Sequence, residues 1–243
     1  MTSLKIGLVA ATFIDGDIDH QIKEIKYYVK NNNHLDMLFF GESYIQGFEG
    51  LTWDYEKDLD IAISLDSPLM ADLKNFAKDQ ATGISFGFIE REGNELYSSN
   101  VVIDSKGKII NLFRRVSEGW KEPIATDMYK EGKELNTFEF GGKTFTTLIC
   151  GDLFHQENLD AVQKVKADYL LWPLYIDYSV KDWQESVSAE YAEQAGKTGQ
   201  KVLMINSFSV DENRAHGGCY VYNKGKIEQE LSLGNVGVLE VTL

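Results

Sequence analysis

The sequence predicts an α/β protein in which two sheets pack face to face and helices cover both outer faces. Three observations lead there. Continuous apolar runs of strand length alternate with segments of helical period, the pattern of sheets covered by helices. Glycine-bearing turns place antiparallel hairpins in both halves of the chain, which a simple doubly wound sheet does not accommodate. No proline- or serine-rich linker separates the halves and only three prolines occur, so residues 1–243 are expected to form a single unit.

The elements follow in order. Lys5–Ala11 reads as a buried strand, and Ile18–Lys30 as a helix with Ile18, Ile22, Ile25 and Val29 on one face. Met37–Phe40 is a second buried strand. Asp66-Ser67-Pro68 has the composition of a helix start, with proline at an early position, leading into Leu69–Lys78. Gly83–Glu90 and Tyr97–Asp104 read as strands, and Ser105–Lys108 turns the chain into a strand over Ile109–Val116. A polar loop then runs from Ser117 to about Leu135; loops of this length in compact domains are often functional. A second round begins with Asn136–Phe140 and Lys143–Cys150 flanking the Gly141-Gly142 turn. Helices over Gln156–Lys166 and Asp182–Lys197 enclose the strand Tyr169–Pro173. Lys201–Ser207, Gly217–Tyr222, Lys226–Leu233 and Gly237–Val241 complete the strands.

Composition excludes several classes of function. The net charge of −14 opposes attraction to nucleic acid or anionic membrane. No apolar run is long enough to span a bilayer, and the opening Met1-Thr2-Ser3-Leu4-Lys5 lacks the features of a secretory leader. Two cysteines, Cys150 and Cys219, are too few for a disulfide framework and fit a reducing cytoplasmic setting. The four histidines are scattered, so no metal and no other cofactor is expected.

Three segments carry residues capable of chemistry. Cys150 follows the apolar strand Phe145–Ile149 and precedes Gly151 and Asp152. The carboxyl end of a strand is where α/β proteins place their sites; a plain buried cysteine is the competing reading. Glu42 follows Met37–Phe40 and Gly41, and a carboxylate held at such a buried strand end is suited to act as a base. Arg114-Arg115 ends Ile109–Phe113. Adjacent strand residues point to opposite faces, so one of the two is expected to enter a site and the other to face solvent.

Together these segments resemble the carbon–nitrogen hydrolase (nitrilase) superfamily. The resemblance rests on Leu38-Phe39-Phe40-Gly41-Glu42-Ser43, on Phe113-Arg114-Arg115 and on Cys150-Gly151-Asp152-Leu153-Phe154-His155-Gln156-Glu157. Ala167–Pro173, Trp183, Val202–Asn206 and Gly217–Leu243 extend it in the right order over nearly the whole chain. It implies a four-layer αββα sandwich of mixed sheets and a Glu–Lys–Cys triad that cleaves the carbon–nitrogen bond of a small amide through a cysteine thioester. Here Arg115 stands where the family has lysine, and Gly151 where it usually has an aromatic residue. The family's second glutamate is assigned to Glu122, because its usual position holds Ala125. The implied catalytic set is Glu42, Arg115, Cys150 and Glu122, with Gly151 on the oxyanion and Trp172, Pro173 and Tyr175 lining the substrate pocket. A homodimer or larger homo-oligomer is implied as well. A member of the same fold that only binds a small molecule or partner, its turnover ended by Arg115, is the alternative.

Overall fold

The computed structural model describes residues 3–211 and 214–243. Met1 and Thr2, with which the leader-free opening was read, lie outside them. One sheet has the strand order Gly237–Thr242, Lys5–Ala10, Met37–Phe39, Gly83–Glu92, Glu95–Ile103, Ile109–Arg114, with Tyr129–Lys130 paired beside Glu95–Ile103. The other runs Lys226–Leu231, Cys219–Asn223, Lys201–Asn206, Tyr169–Leu174, Lys143–Thr147, Thr137–Phe140. Both mix parallel and antiparallel pairs. Thr12–Phe13 and Phe208–Ser209 form a short parallel ladder of their own.

Side-chain alternation along the strands sorts most of the apolar residues into three layered cores, with a smaller cluster of Leu51, Ile89, Leu96, Trp120 and Tyr129 beside them. Leu38, Phe40, Phe86 and Phe88 face Ile25, Val29, Met70 and Leu73 of the helices Ile18–Asn31 and Pro68–Gln80. Their strand neighbours Met37 and Phe39 face the opposite way, against Phe145, Leu171, Leu203 and Ile205 of the other sheet. On the far side of that sheet, Leu170, Trp172, Val202 and Met204 pack on Leu159, Val162, Tyr191 and Ala195 of Gln156–Lys164 and Ser188–Lys197. Three apolar layers between four structural layers make the αββα sandwich, central strands such as Tyr169–Leu174 serving two cores through their period of two.

Local signals explain the punctuation. The Ser67 hydroxyl accepts from the Met70 N–H at 3.2 Å and Pro68 occupies the first helical turn, a capped start. Gly141 and Gly142 have φ of 58° and 75°, as a two-residue hairpin of the primed type requires. Three elements differ from expectation. Tyr55–Ile61 is helical, although its mostly charged sequence shows little period. The long loop contains a 3-10 turn at Glu118–Trp120 besides Tyr129–Lys130. The helix expected over Asp182–Lys197 carries a π-turn at Trp183–Val187. No helix among the described residues is long and apolar enough to cross a membrane.

Candidate active site

Glu42, Arg115 and Cys150 converge where strand ends of the two sheets meet. Beyond Phe39 the chain leaves its sheet. The Gly41 carbonyl accepts from the Gly87 N–H at 3.0 Å, and the Glu42 N–H reaches the Leu174 carbonyl of the other sheet at 3.4 Å. Two glycines permit this crossing. A Cβ on Gly87 would stand 2.4 Å from the Ser43 nitrogen, and one on Gly41 would stand 2.4 Å from Ser207 Oγ. Ser43 itself has φ of 46°, a left-handed conformation that costs about 1–3 kcal/mol outside glycine and concentrates at functional sites.

Cys150 is built in the same way. The strand expected to reach it stops at Thr147, and Cys150 opens a 3-10 turn, Cys150–Phe154, with φ of 46°. The sharp turn lifts the thiol off the strand direction. Trp172 Nε1 donates to the Cys150 carbonyl at 2.8 Å, and Gln194 Nε2 donates to Leu153 O at 2.6 Å, pinning the turn from below and from the helix behind it. Cys150 is half-buried, whereas Cys219 is fully buried in its strand.

The Glu42 carboxylate is 3% exposed as a residue. Its Oε1 accepts from Arg115 Nη1 at 2.7 Å, its Oε2 accepts from the Tyr175 N–H at 3.0 Å, and its side chain is hydrogen-bonded to the Cys150 thiol. Cys150 Sγ also lies 3.6 Å from the Tyr175 carbonyl. Burial raises the Glu42 pKa above the ordinary carboxylate value, and the Arg115 charge opposes the rise. Burial, with the Glu42 charge beside it, pushes the Cys150 thiol up to about 12. Burial pulls Arg115 down, but Glu42, Cys150 and Asp152 together outweigh it, so the guanidinium pKa moves up and it stays charged throughout. A neutral thiol, a buried carboxylate able to take its proton and a permanent cation are thereby assembled around one sulfur.

The two arginines part as strand alternation predicts. Arg115 turns inward and is 3% exposed. Arg114 turns to the opposite face but is half-buried rather than solvated: it pairs with the buried Glu90 at 2.6 Å and with Glu92 at 2.9 Å, its guanidinium 3.9 Å from the centre of the Tyr97 ring. Glu122 is not brought to this group: it is exposed, in a turn where its carbonyl accepts from the Ala125 N–H. The other carboxylate near Arg115 is Asp152, whose Oδ1 lies 4.0 Å from Arg115 Nε. The pocket-lining expectation changes too. Trp172 and Pro173 are buried beneath the site, and Tyr175 serves it through its main chain while its ring stacks on Phe48 at 4.5 Å. His155 is exposed beside Glu157 rather than turned to the thiol.

Sequence reasoning gave no role to Asp152 or Ser117. Asp152 is fully buried; its Oδ2 accepts from the Ile149 N–H at 3.0 Å and its Oδ1 from the N–H groups of Ser117 at 2.8 Å and Val116 at 3.2 Å. It thus ties the turn holding Cys150 to the segment after Arg115. Ser117 Oγ accepts from Arg115 Nε at 3.1 Å. The available signal for Asp152 was an acid two residues beyond an apolar strand end; for Ser117 there was none. Among the described residues no three of His, Cys, Asp and Glu gather as a metal-binding group.

Known proteins share this architecture. A carbon–nitrogen hydrolase superfamily protein of Xanthomonas campestris superposes with a TM-score of 0.80 over 100% of this chain and 91% of its own, at 17% identity. An amidase of Nesterenkonia sp. gives 0.78 over 99% and 90%, also at 17% identity. In sequence, a citrullinase of Francisella tularensis is 25% identical over 234 residues, 88% of this chain and 77% of the relative. A nitrilase of Meyerozyma guilliermondii is 23% identical over 72% of this chain, and the match spans 60% of that relative. An arylacetonitrilase of Hypocrea virens is 33% identical over 85 residues, only 26% of its length. The family model for carbon–nitrogen hydrolases matches residues 5–243. With that match running from the first strand to the last, the chain belongs to the carbon–nitrogen hydrolase family.

Proposed function

We propose that this protein hydrolyses the carbon–nitrogen bond of a small linear amide, of amidase or ω-amidase type, with Cys150 as covalent nucleophile. The observation that carries the reading is the convergence of the buried Glu42 carboxylate and the Arg115 guanidinium on the Cys150 thiol. Glu42 takes the thiol proton as Sγ bonds to the amide carbon, and the carbonyl electrons move to oxygen. Arg115 and the Gly151 N–H, at the start of a turn where such groups lack intrahelical partners, face the oxyanion. As the intermediate collapses, the carbon–nitrogen bond breaks and protonated Glu42 gives its proton to the leaving nitrogen. Water then gives a proton to Glu42, its oxygen bonds to the thioester carbon, the carbon–sulfur bond breaks, and Glu42 returns the proton to sulfur. The high thiol pKa fits a proton transferred during attack rather than a standing thiolate.

The same reading takes the protein to be a cytoplasmic homodimer or larger homo-oligomer. Its substrate is a small molecule, without nucleic acid or membrane. The test is ammonia release from a panel of amides, ω-amides of dicarboxylic acids, carbamoyl compounds and nitriles, with Cys150→Ala as control. Release that vanishes in the control, with a mass increase on Cys150 in quenched reactions, is expected. Absence of any Cys150-dependent release across the panel would leave a binding protein instead.

A further inference from the structure

We propose that Ser117, Gly151 and Asp152 form a seat specific for arginine, so that the site works with Arg115 and would work poorly with a lysine in its place. The inference rests on the catalytic reading above and deepens it. A guanidinium is a rigid plane with five N–H donors in a fixed fork, whereas an ammonium is a compact point charge. Each part of the Arg115 fork has its own place. Nη1 donates to Glu42 Oε1 at 2.7 Å and Nε to Ser117 Oγ at 3.1 Å. Nη2 lies over Gly151, where a Cβ would come within 2.8 Å of it. Asp152 sets a carboxylate oxygen 4.0 Å from Nε.

Two of these positions cannot adapt. The Asp152 carboxylate is held by three backbone N–H groups, from Ile149, Val116 and Ser117, so it cannot follow a shorter cation. Gly151 adjoins the nucleophile in a turn that is itself held by Trp172 and Gln194, so the turn cannot back away from Nη2. The lack of a side chain at 151 therefore makes room for the second guanidinium nitrogen. A lysine ammonium could reach Glu42, but it would leave Ser117 Oγ and Asp152 without their cation and a gap above Gly151. Arg115 and Gly151 are thus one adaptation made at two positions. Ser117, Gly151 and Asp152 are positioning residues that act through Arg115.

The experiment is a double-mutant cycle of Arg115→Lys and Gly151→Ala in the full chain, with Ser117→Ala as a third variant of nearly unchanged volume. It reads amide hydrolysis and, separately, the pH dependence of Cys150 alkylation by iodoacetamide; thermal midpoints check folding. Arg115→Lys should lower kcat about 100-fold with a smaller change in KM. Gly151→Ala alone should lower it about 10-fold or more by displacing Nη2, yet by less than about threefold in the Arg115→Lys background. Alkylation of the Arg115→Lys variant should gain an inflection near pH ~10.4 as its amine deprotonates, and Gly151→Ala should slow alkylation only where Arg115 is intact. Penalties that multiply independently, or an Arg115→Lys variant as active as the parent, would overturn the seat while leaving the hydrolase reading in place. If the parent hydrolyses nothing, the hydrolase reading fails and the alkylation arm decides the seat alone. Should Gly151→Ala not fold, Ser117→Ala takes its place in the cycle, with the same two outcomes.

Discussion

Asp152→Asn separates the geometric role of a buried carboxylate from its charge. In the native protein one oxygen accepts from Ile149 and the other from both Val116 and Ser117. An amide has one oxygen, so in either orientation its NH2 faces at least one of these donors. The favourable orientation keeps the two bonds to Val116 and Ser117 and strands the Ile149 N–H, next to the nucleophile. A buried donor without a partner costs about 1–3 kcal/mol, and two charge-assisted bonds become neutral ones of roughly half the strength. Against this, burial holds the Asp152 pKa above its ordinary value, so replacing the charge returns part of a desolvation cost. The balance is a loss of about 2 kcal/mol, or a fall of about 4–8 °C in thermal midpoint for a chain of this size. Calorimetry of the two proteins near neutral pH measures it. In acid, as the pH falls through the raised pKa towards the ordinary value, the native carboxyl takes up a proton that the unfolded chain does not yet bind, so the parent gains stability that the non-titrating variant cannot and the difference should widen. An unchanged or higher midpoint near neutral pH would refute the reasoning, because desolvation would then outweigh the three hydrogen bonds.

Glu42→Gln should reduce the rate of amide hydrolysis about 100- to 10,000-fold, as expected for loss of a general base, with Cys150 still open to alkylation; hydrolysis within a factor of about three of the parent would remove Glu42 from the mechanism. The fold should weaken in alkali through Cys150. A thiol whose pKa is higher folded than unfolded destabilises the fold where the unfolded chain has already ionised, so stability should fall from the ordinary value of 9.0 up to about 12. Cys150→Ser should flatten that part of a urea-denaturation series, and an unchanged slope would assign the loss elsewhere. Gly87→Ala should destabilise by about 1–3 kcal/mol and lower activity, because the new Cβ meets the backbone of Glu42 and Ser43 at under 3 Å; a fully stable, fully active variant would show that this crossing can shift freely.

The strands were legible because burial on two faces forces continuous apolar runs, as in Leu170–Trp172, and the glycine turns because Gly141 and Gly142 both hold positive φ. That only one of Arg114 and Arg115 enters the site followed from strand alternation, and the choice of Arg115 came from the family resemblance. What stayed hidden depends on contacts between distant segments. Tyr55–Ile61 has few apolar residues to show a period. It carries Asp58, whose buried carboxylate accepts from Thr52, Trp53 and the Tyr129 hydroxyl. Glu122 was chosen as a glutamate near Ala125, where counting through the loop ended, and the chain carries it to the surface. Asp152 meets Ser117 across 35 positions, a pairing with no local pattern. The left-handed conformations of Ser43 and Cys150 are likewise imposed by surroundings, since neither residue type favours them.

The first sheet begins beside the strand that ends it. Lys5–Ala10 is flanked by Met37–Phe39 on one side and by Gly237–Thr242 on the other, in a register running from Lys5 opposite Thr242 to Ala10 opposite Gly237. On the ribosome, the earliest strand must therefore wait with one edge bare until almost all of the described sequence has been made. Such a long-range pairing slows folding, and the waiting edge is open to other nascent chains. A chain that stopped before Gly237 would carry Glu42, Arg115 and Cys150 on the two sheets but leave the Lys5–Ala10 edge of the first sheet unpaired.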